Sequence, residues 1–161
     1  PGCGEQGGEQ LMANLYPVFE MPELAEQQQT QPEPEYPESY LFDFEKGDFV
    51  LDGAGRVVIA DGHTSWVQWC VKTVLTERFT FLAYSWDYGV EIEEALKNPN
   101  RAAIEAEVER TITEALMVDP RTELVRDFAF RWHADELYVS FTIAPVIGEA
   151  ARIEEVRLGA L

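Results

Sequence analysis

The sequence is short of positive charge. Its 161 residues carry 12 Lys and Arg against 30 Asp and Glu, a formal net charge of -18 with a pI near 4.3. Such a chain is repelled by phosphate backbones and anionic headgroups, so nucleic acid and membrane surfaces are not its expected partners. Cysteine is nearly absent: Cys3 and Cys70 lie far apart and cannot furnish a disulfide framework or a closed zinc site. A reducing cytoplasm suits them. No apolar run approaches the roughly 18 residues that span a bilayer, and the first residues hold neither a basic n-region nor an apolar h-region. The expectation from these features is a cytoplasmic protein without membrane insertion.

What is present is enough for one core. Hydrophobic residues make up 46% of the chain and aromatics 12%, too much for disorder throughout, and the length fits a single domain with an appended segment. The division falls near residue 40. Residues 1–39 hold eight glutamates, six prolines and no Lys or Arg, with the Gln27-Gln28-Gln29 tract among them. They read as an acidic extended arm, with Gln31 to Pro37 as a polyproline-like spacer. Within the arm, Leu15, Tyr16, Val18 and Phe19 form an apolar cluster suited to anchoring on a partner. Met12-Ala13 reads as a natural initiation site, which would make residues 1–11 an upstream or appended extension.

Residues 40–161 predict an α+β domain of two β-hairpins packed on two main helices. Phe49-Val50-Leu51 and Val57-Val58-Ile59 flank the turn-forming Asp52-Gly53-Ala54-Gly55 and read as the first hairpin. Thr64-Ser65-Trp66 offers a cap, and Trp66, Val67, Cys70, Val71, Val74 and Leu75 recur at helical spacing, predicting a helix over about 64–77. An aromatic, irregular stretch from Phe79 to Gly89 follows, then a short helical piece from Val90 to Lys97. Asn98-Pro99 opens the longer helix, with proline at N1 and a stripe of Ile104, Val108, Ile112, Ala115 and Leu116. Asp119-Pro120 ends it. Leu124, Phe128, Phe130 and Trp132, then Leu137, Val139, Phe141 and Ile143, alternate about His133-Ala134-Asp135-Glu136 and predict the second hairpin. Arg152 to Leu158 is compatible with strand or helix.

Few residues promise chemistry. Gly2-Cys3-Gly4-Glu5-Gln6 matches the thioester motif of the complement and macroglobulin family, but that bond needs burial in a large helical domain that this length cannot supply. His63 and His133 fall at turns without metal-ligand spacing, and Cys70 falls among apolar helix neighbours as an inert thiol. No metal or cofactor is expected. No nucleophile elbow or phosphate-binding glycine loop occurs. Glu77 and Asp87, flanking the aromatic stretch, are the carboxylates best placed for acid and nucleophile in sugar-polymer cleavage, although 30 acids make any such pair unspecific.

Five segments in order carry a resemblance: Phe42 to Phe49, Asp61-Gly62, Leu75 to Phe79, Tyr84 to Gly89, and Asp119-Pro120-Arg121. Over about two thirds of its length the chain resembles the small baseplate wedge protein, or sheath initiator, of contractile phage tails and prophage-derived tail-like particles. The family's Glu-Pro-Arg motif corresponds here to Asp119-Pro120-Arg121, with the acid one methylene shorter. The resemblance implies a structural subunit, not an enzyme. It implies that Asp119, Pro120 and Arg121 bind larger wedge subunits. It further implies that the second hairpin, with Phe128, Phe130, Trp132, Leu137, Val139, Phe141 and Ile143, is the strand-pairing platform for the sheath protein. The arm would reach a neighbouring wedge, tube or hub protein. The competing expectations are a lysozyme-like peptidoglycan hydrolase and a soluble chaperone for tail proteins.

Overall fold

A computed structural model describes Gly2 and residues 34–160. The arm anchor Leu15, Tyr16, Val18 and Phe19 and the Cys3 thiol lie outside the described residues. The elements run β1 (Ser39–Tyr40), β2 (Phe42–Asp43), β3 (Asp48–Phe49), β4 (Ile59–Ala60), α1 (Gly62–Val74), α2 (Ile92–Leu96), α3 (Arg101–Met117), β5 (Thr122–His133), β6 (Glu136–Pro145) and β7 (Ala151–Ala160). The class is α+β, as expected.

The core lies between the three helices and one face of an antiparallel sheet ordered β5-β6-β7. Along β6, Leu137, Val139, Phe141 and Ile143 are fully buried, so period-two patterning turns one face of the central strand inward. Helix α3 contributes Ile104, Val108, Ile112, Ala115 and Leu116, the expected stripe, and α1 contributes Trp66, Cys70, Thr73 and Val74. Each large aliphatic or aromatic side chain so buried is worth about 1.5–3 kcal/mol of transfer free energy.

Both helix starts differ from expectation for a capping reason. Asp61, not Thr64, caps α1: its carboxylate accepts from the Thr64 amide at 2.7 Å. The helix therefore begins at Gly62 and ends at Val74. Asn100 caps α3, accepting from the Ala102 amide at 2.9 Å, so Pro99 precedes the cap and is not N1.

The first hairpin is reduced to the single bridge Leu51–Val57 beside the Asp52–Arg56 turn. Its flanks pair with earlier residues instead, β4 with β1 and β3 with β2. The three segments meet in a closed ring of hydrogen bonds: Leu41 N–H to Val58 O, Val58 N–H to Val50 O, and Val50 N–H to Leu41 O, all 2.8–2.9 Å.

The second hairpin forms with its turn at Ala134-Asp135, and the C-terminal segment resolves as β7, a third strand on β6. Both outer strands carry a bulge that shifts side-chain parity. In β5, Val125 is 8% exposed and Leu124 45%, the reverse of strict alternation with Phe128, Phe130 and Trp132. The register slips between Arg126 and Ala129, where Asp127 has a φ of 57°, and this extra residue restores the inward phase. In β7, Ile153 and Val156 are both buried across Glu155, whose φ is 51°.

Candidate functional site

Val118 caps the C-terminus of α3, and the chain turns at once into β5. In that turn Asp119 Oδ1 accepts from the Arg121 amide and from Arg121 Nε, both at 2.9 Å, and Oδ2 accepts from Nη2 at 2.6 Å. Proline between them removes a competing donor and fixes φ, so acid and arginine face each other two residues apart. Their side chains are 9% and 15% exposed. The Asp119 hydrogen bonds raise the Arg121 pKa, so the guanidinium stays charged throughout.

The pair is fixed from outside as well. The Arg121 guanidinium lies 5.7 Å from the Trp69 ring centroid. Its backbone carbonyl accepts from the Tyr36 hydroxyl at 3.0 Å and the Val146 amide at 2.9 Å. The Trp66 indole donates to Thr122 Oγ1 at 3.1 Å, and the Asp119 carbonyl accepts from the Thr122 amide at 3.0 Å. Tyr36, on the arm side of residue 40, also meets Trp66 edge to face at 6.4 Å. At Gly62 an added Cβ would stand 2.1 Å from the Tyr36 carbonyl oxygen, so this close approach requires glycine.

Arg121 also borders a cleft of about 610 Å³ between α1 and the segment of β1 to β3. Tyr40, Phe42, Phe49 and Trp69 give it apolar walls, with Lys72 and Arg121 as its cations. Gln68 holds the far wall, accepting from the Phe42 amide at 2.6 Å and donating to the Tyr40 carbonyl at 3.4 Å. Among the described residues Arg121 Nη1 makes no hydrogen bond, leaving its two N–H groups for a ligand.

The strand-platform residues divide by role. Leu137, Val139, Phe141 and Ile143 belong to the core, and Phe128, Phe130 and Trp132 are half-buried against it. Phe128 stacks on Phe141 at 5.4 Å, and the Trp132 indole donates to Glu105 of α3 at 2.8 Å beneath Arg101. Their side chains hold the sheet to the helices. The groups available for pairing are main-chain ones on the outer edges of β5 and β7, which have no partner strand among the described residues. The solvent face is polar, with ion pairs Arg131–Glu155 and Arg157–Glu136.

The carboxylates considered for catalysis serve structure or lie apart from the cleft. Glu77 Oε2 accepts from the Ile92 amide at 3.1 Å and the Glu93 amide at 3.4 Å, tying the end of α1 to the start of α2. Burial raises its pKa, partly offset by the Glu93 and Ile92 amides. Asp87 sits in the exposed aromatic stretch and does not border the cleft. Burial likewise pushes the Cys70 thiol well up, leaving it inert. His63 lies in the first turn of α1, not before it, with Nε2 2.9 Å from the Glu149 carbonyl.

Sequence reasoning passed over Tyr36, Gln68, Trp69 and Lys72. The available signal was the pair Trp66 and Trp69, which turn two indoles to adjoining faces of one helix.

The family model for the contractile injection system sheath initiator matches residues 38–146, from β1 to the end of β6. The chain is also 30% identical over 121 residues to the phage-like element PBSX protein XkdS of Bacillus subtilis (strain 168), covering 74% of this chain and 81% of that protein. The chain therefore belongs to the sheath initiator family, and its role is structural and tied to the sheath of a contractile tail.

Proposed function

We propose that this sheath initiator is a wedge subunit of a sixfold baseplate, joining larger wedge proteins to the sheath and starting sheath assembly by strand pairing. The observation that carries the reading is the β5-β6-β7 sheet: one face is locked to the helices, and two long outer strands keep free main-chain edges among the described residues. A rigid sheet with an open edge is a template, because an incoming extended segment gains main-chain hydrogen bonds in a fixed register.

The wedge contact is assigned to Asp119, Pro120 and Arg121. Asp119 holds the guanidinium over the Trp69 ring at the border of the cleft, so the free Nη1 is already positioned for a carboxylate or carbonyl. This site lies where β5 begins and β6 ends, and the Ala134-Asp135 turn lies at the opposite end of the sheet, about 35 Å away for a strand of this length. A segment pairing along an outer edge toward the Ala134-Asp135 end would leave this site free for a second partner. The arm, with Leu15, Tyr16, Val18 and Phe19, reaches a neighbouring wedge, tube or hub protein.

The test is a quantitative mass-spectrometric inventory of purified contractile particles from the producing cell. About six copies per baseplate are expected for one subunit per wedge of a closed ring. Absence from intact particles would overturn the reading and favour a chaperone.

A further inference from the structure

Between the end of α1 and the start of α2 the chain makes an excursion that buries little. Its neck is closed by the bridge of Glu77 with Val90, with Arg78 N–H to Val90 O at 2.8 Å and Val90 N–H to Thr76 O at 2.9 Å. Arg78 fastens it with Nε to the Gly89 carbonyl and Nη1 to Glu91, both at 3.0 Å. Gly89 has a φ of 97°, and an added Cβ would stand 2.7 Å from the Thr76 carbonyl oxygen. The neck is thus built for close backbone approach.

From this anchored neck the loop presents apolar side chains to solvent. Leu82 is 105% exposed and Trp86 80%, and Phe79 and Phe81 are exposed beside them. Two successive turns, Tyr84 N–H to Phe81 O and Tyr88 N–H to Ser85 O, both 3.2 Å, shape it. Aromatic contacts brace it: Phe79 with Trp86 at 5.7 Å, Tyr84 with Tyr88 at 4.6 Å, and Tyr88 with Trp69 of α1 at 5.9 Å. Phe79 has a φ of 65°, a conformation bulky residues rarely adopt, and the side chain it projects is not buried in return. A fixed, exposed aromatic knob is the composition of a binding hot spot.

Charge identifies what it fits. From Glu77 to Glu94 the chain has five acids, Glu77, Asp87, Glu91, Glu93 and Glu94; Arg78 pairs with Glu91, Lys97 pairs with Glu94 and Lys72 lies against Tyr84, which leaves Glu77, Asp87 and Glu93 without a paired cation among the described residues. A second copy of a chain with net charge -18 would be repelled, as would an anionic bilayer. We infer that the loop Phe79 to Tyr88 is a docking knob that inserts Leu82 and Trp86 into an apolar socket rimmed by Lys or Arg on a neighbouring protein of the assembled tail particle. The inference rests on the baseplate reading and adds a second contact surface to it. The knob is continuous with the Arg121 face, since Tyr84 carries the Lys72 ammonium 5.1 Å from its ring and Trp69 bridges Tyr88 to Arg121.

The test places the photo-crosslinker p-benzoylphenylalanine at Leu82 in the full chain, in cells that assemble particles, with the same probe at exposed Glu109 of α3 as control. Expected is a crosslink from Leu82, absent from Glu109, to an apolar segment of another tail protein flanked by Lys or Arg, its yield falling severalfold with Asp87→Lys. Normal incorporation into particles without that crosslink would overturn the knob and leave the baseplate reading standing. Crosslinks to lipid, to a second copy or to a segment without basic residues would also overturn it. A chain missing from particles would overturn the baseplate reading and the knob with it.

Discussion

Arg121 grips Asp119 through its backbone amide, Nε and Nη2 at once, with Pro120 between them and Trp69 beneath the guanidinium. An acid of this length two residues before the arginine satisfies the fork locally, so the turn that ends α3 is set before any partner arrives. The short side chain of aspartate is sufficient for this.

Breaking that pair on one side should cost stability and binding separately. Asp119→Asn removes the charge that orients the guanidinium and is expected to destabilise by about 2 kcal/mol, as for a charge-assisted hydrogen bond. Arg121→Gln should cost a similar amount, and the double variant less than the sum, because neither partner is then left unpaired. Urea unfolding of the four proteins reads the coupling. Additive losses would mean that the pair contributes nothing jointly.

Gly62→Ala should loosen residues 34–39. The added methyl group cannot coexist with the Tyr36 carbonyl at 2.1 Å, and overpacking of this kind costs about 1–3 kcal/mol. Amide hydrogen exchange should rise at Val146 and Ile147, which bond to Arg121 O and the Tyr36 hydroxyl. Unchanged protection there would show that the Tyr36 segment does not hold this corner.

Much of the fold is legible in the sequence where periodicity is unbroken. The stripe from Ile104 to Leu116 and the alternation from Leu137 to Ile143 both point to the core that forms. Legibility fails where one extra residue enters a strand. Across Glu155, Ile153 and Val156 are three apart yet on one face, a spacing indistinguishable from a helix turn, which is why the C-terminal strand reads ambiguously. The helix starts fail for a second reason, since Asp61 and Asn100 compete as caps with Thr64 and Asn98 at neighbouring positions. At the site, the turn residues Asp119 to Arg121 are visible in sequence, but Tyr36 and Trp69 come from distant segments that no local pattern joins to them.

The bulge makes its own prediction. Val125→Ala is expected to cost about 2 kcal/mol, whereas Leu124→Ala should stay within about 0.5 kcal/mol, because only Val125 faces the core. Thermal or urea unfolding distinguishes them. Equal losses would contradict the parity shift at Asp127.

Glu77 gives a pH dependence of definite sign. Its folded pKa lies above the ordinary glutamate value, chiefly from burial, so the folded state binds its proton more tightly than the unfolded state does. This contribution to stability is therefore present at acid pH and is lost as pH rises through the raised value. Glu77→Gln retains an oxygen to accept from Ile92 and Glu93 while removing the buried charge. Between about pH 4 and 7 the variant should lack this component of the pH profile and be no less stable than the parent at neutral pH. A variant less stable at neutral pH would show that the carboxylate charge itself is required at the start of α2.

The most direct measurement is a cryo-electron-microscopy map of the junction between baseplate and first sheath ring in the intact particle. Strand pairing predicts a sheath segment hydrogen-bonded along the outer edge of β5 or β7, extending the β5-β6-β7 sheet. A map with both edges bare, and the first ring seated elsewhere on the chain, would contradict it.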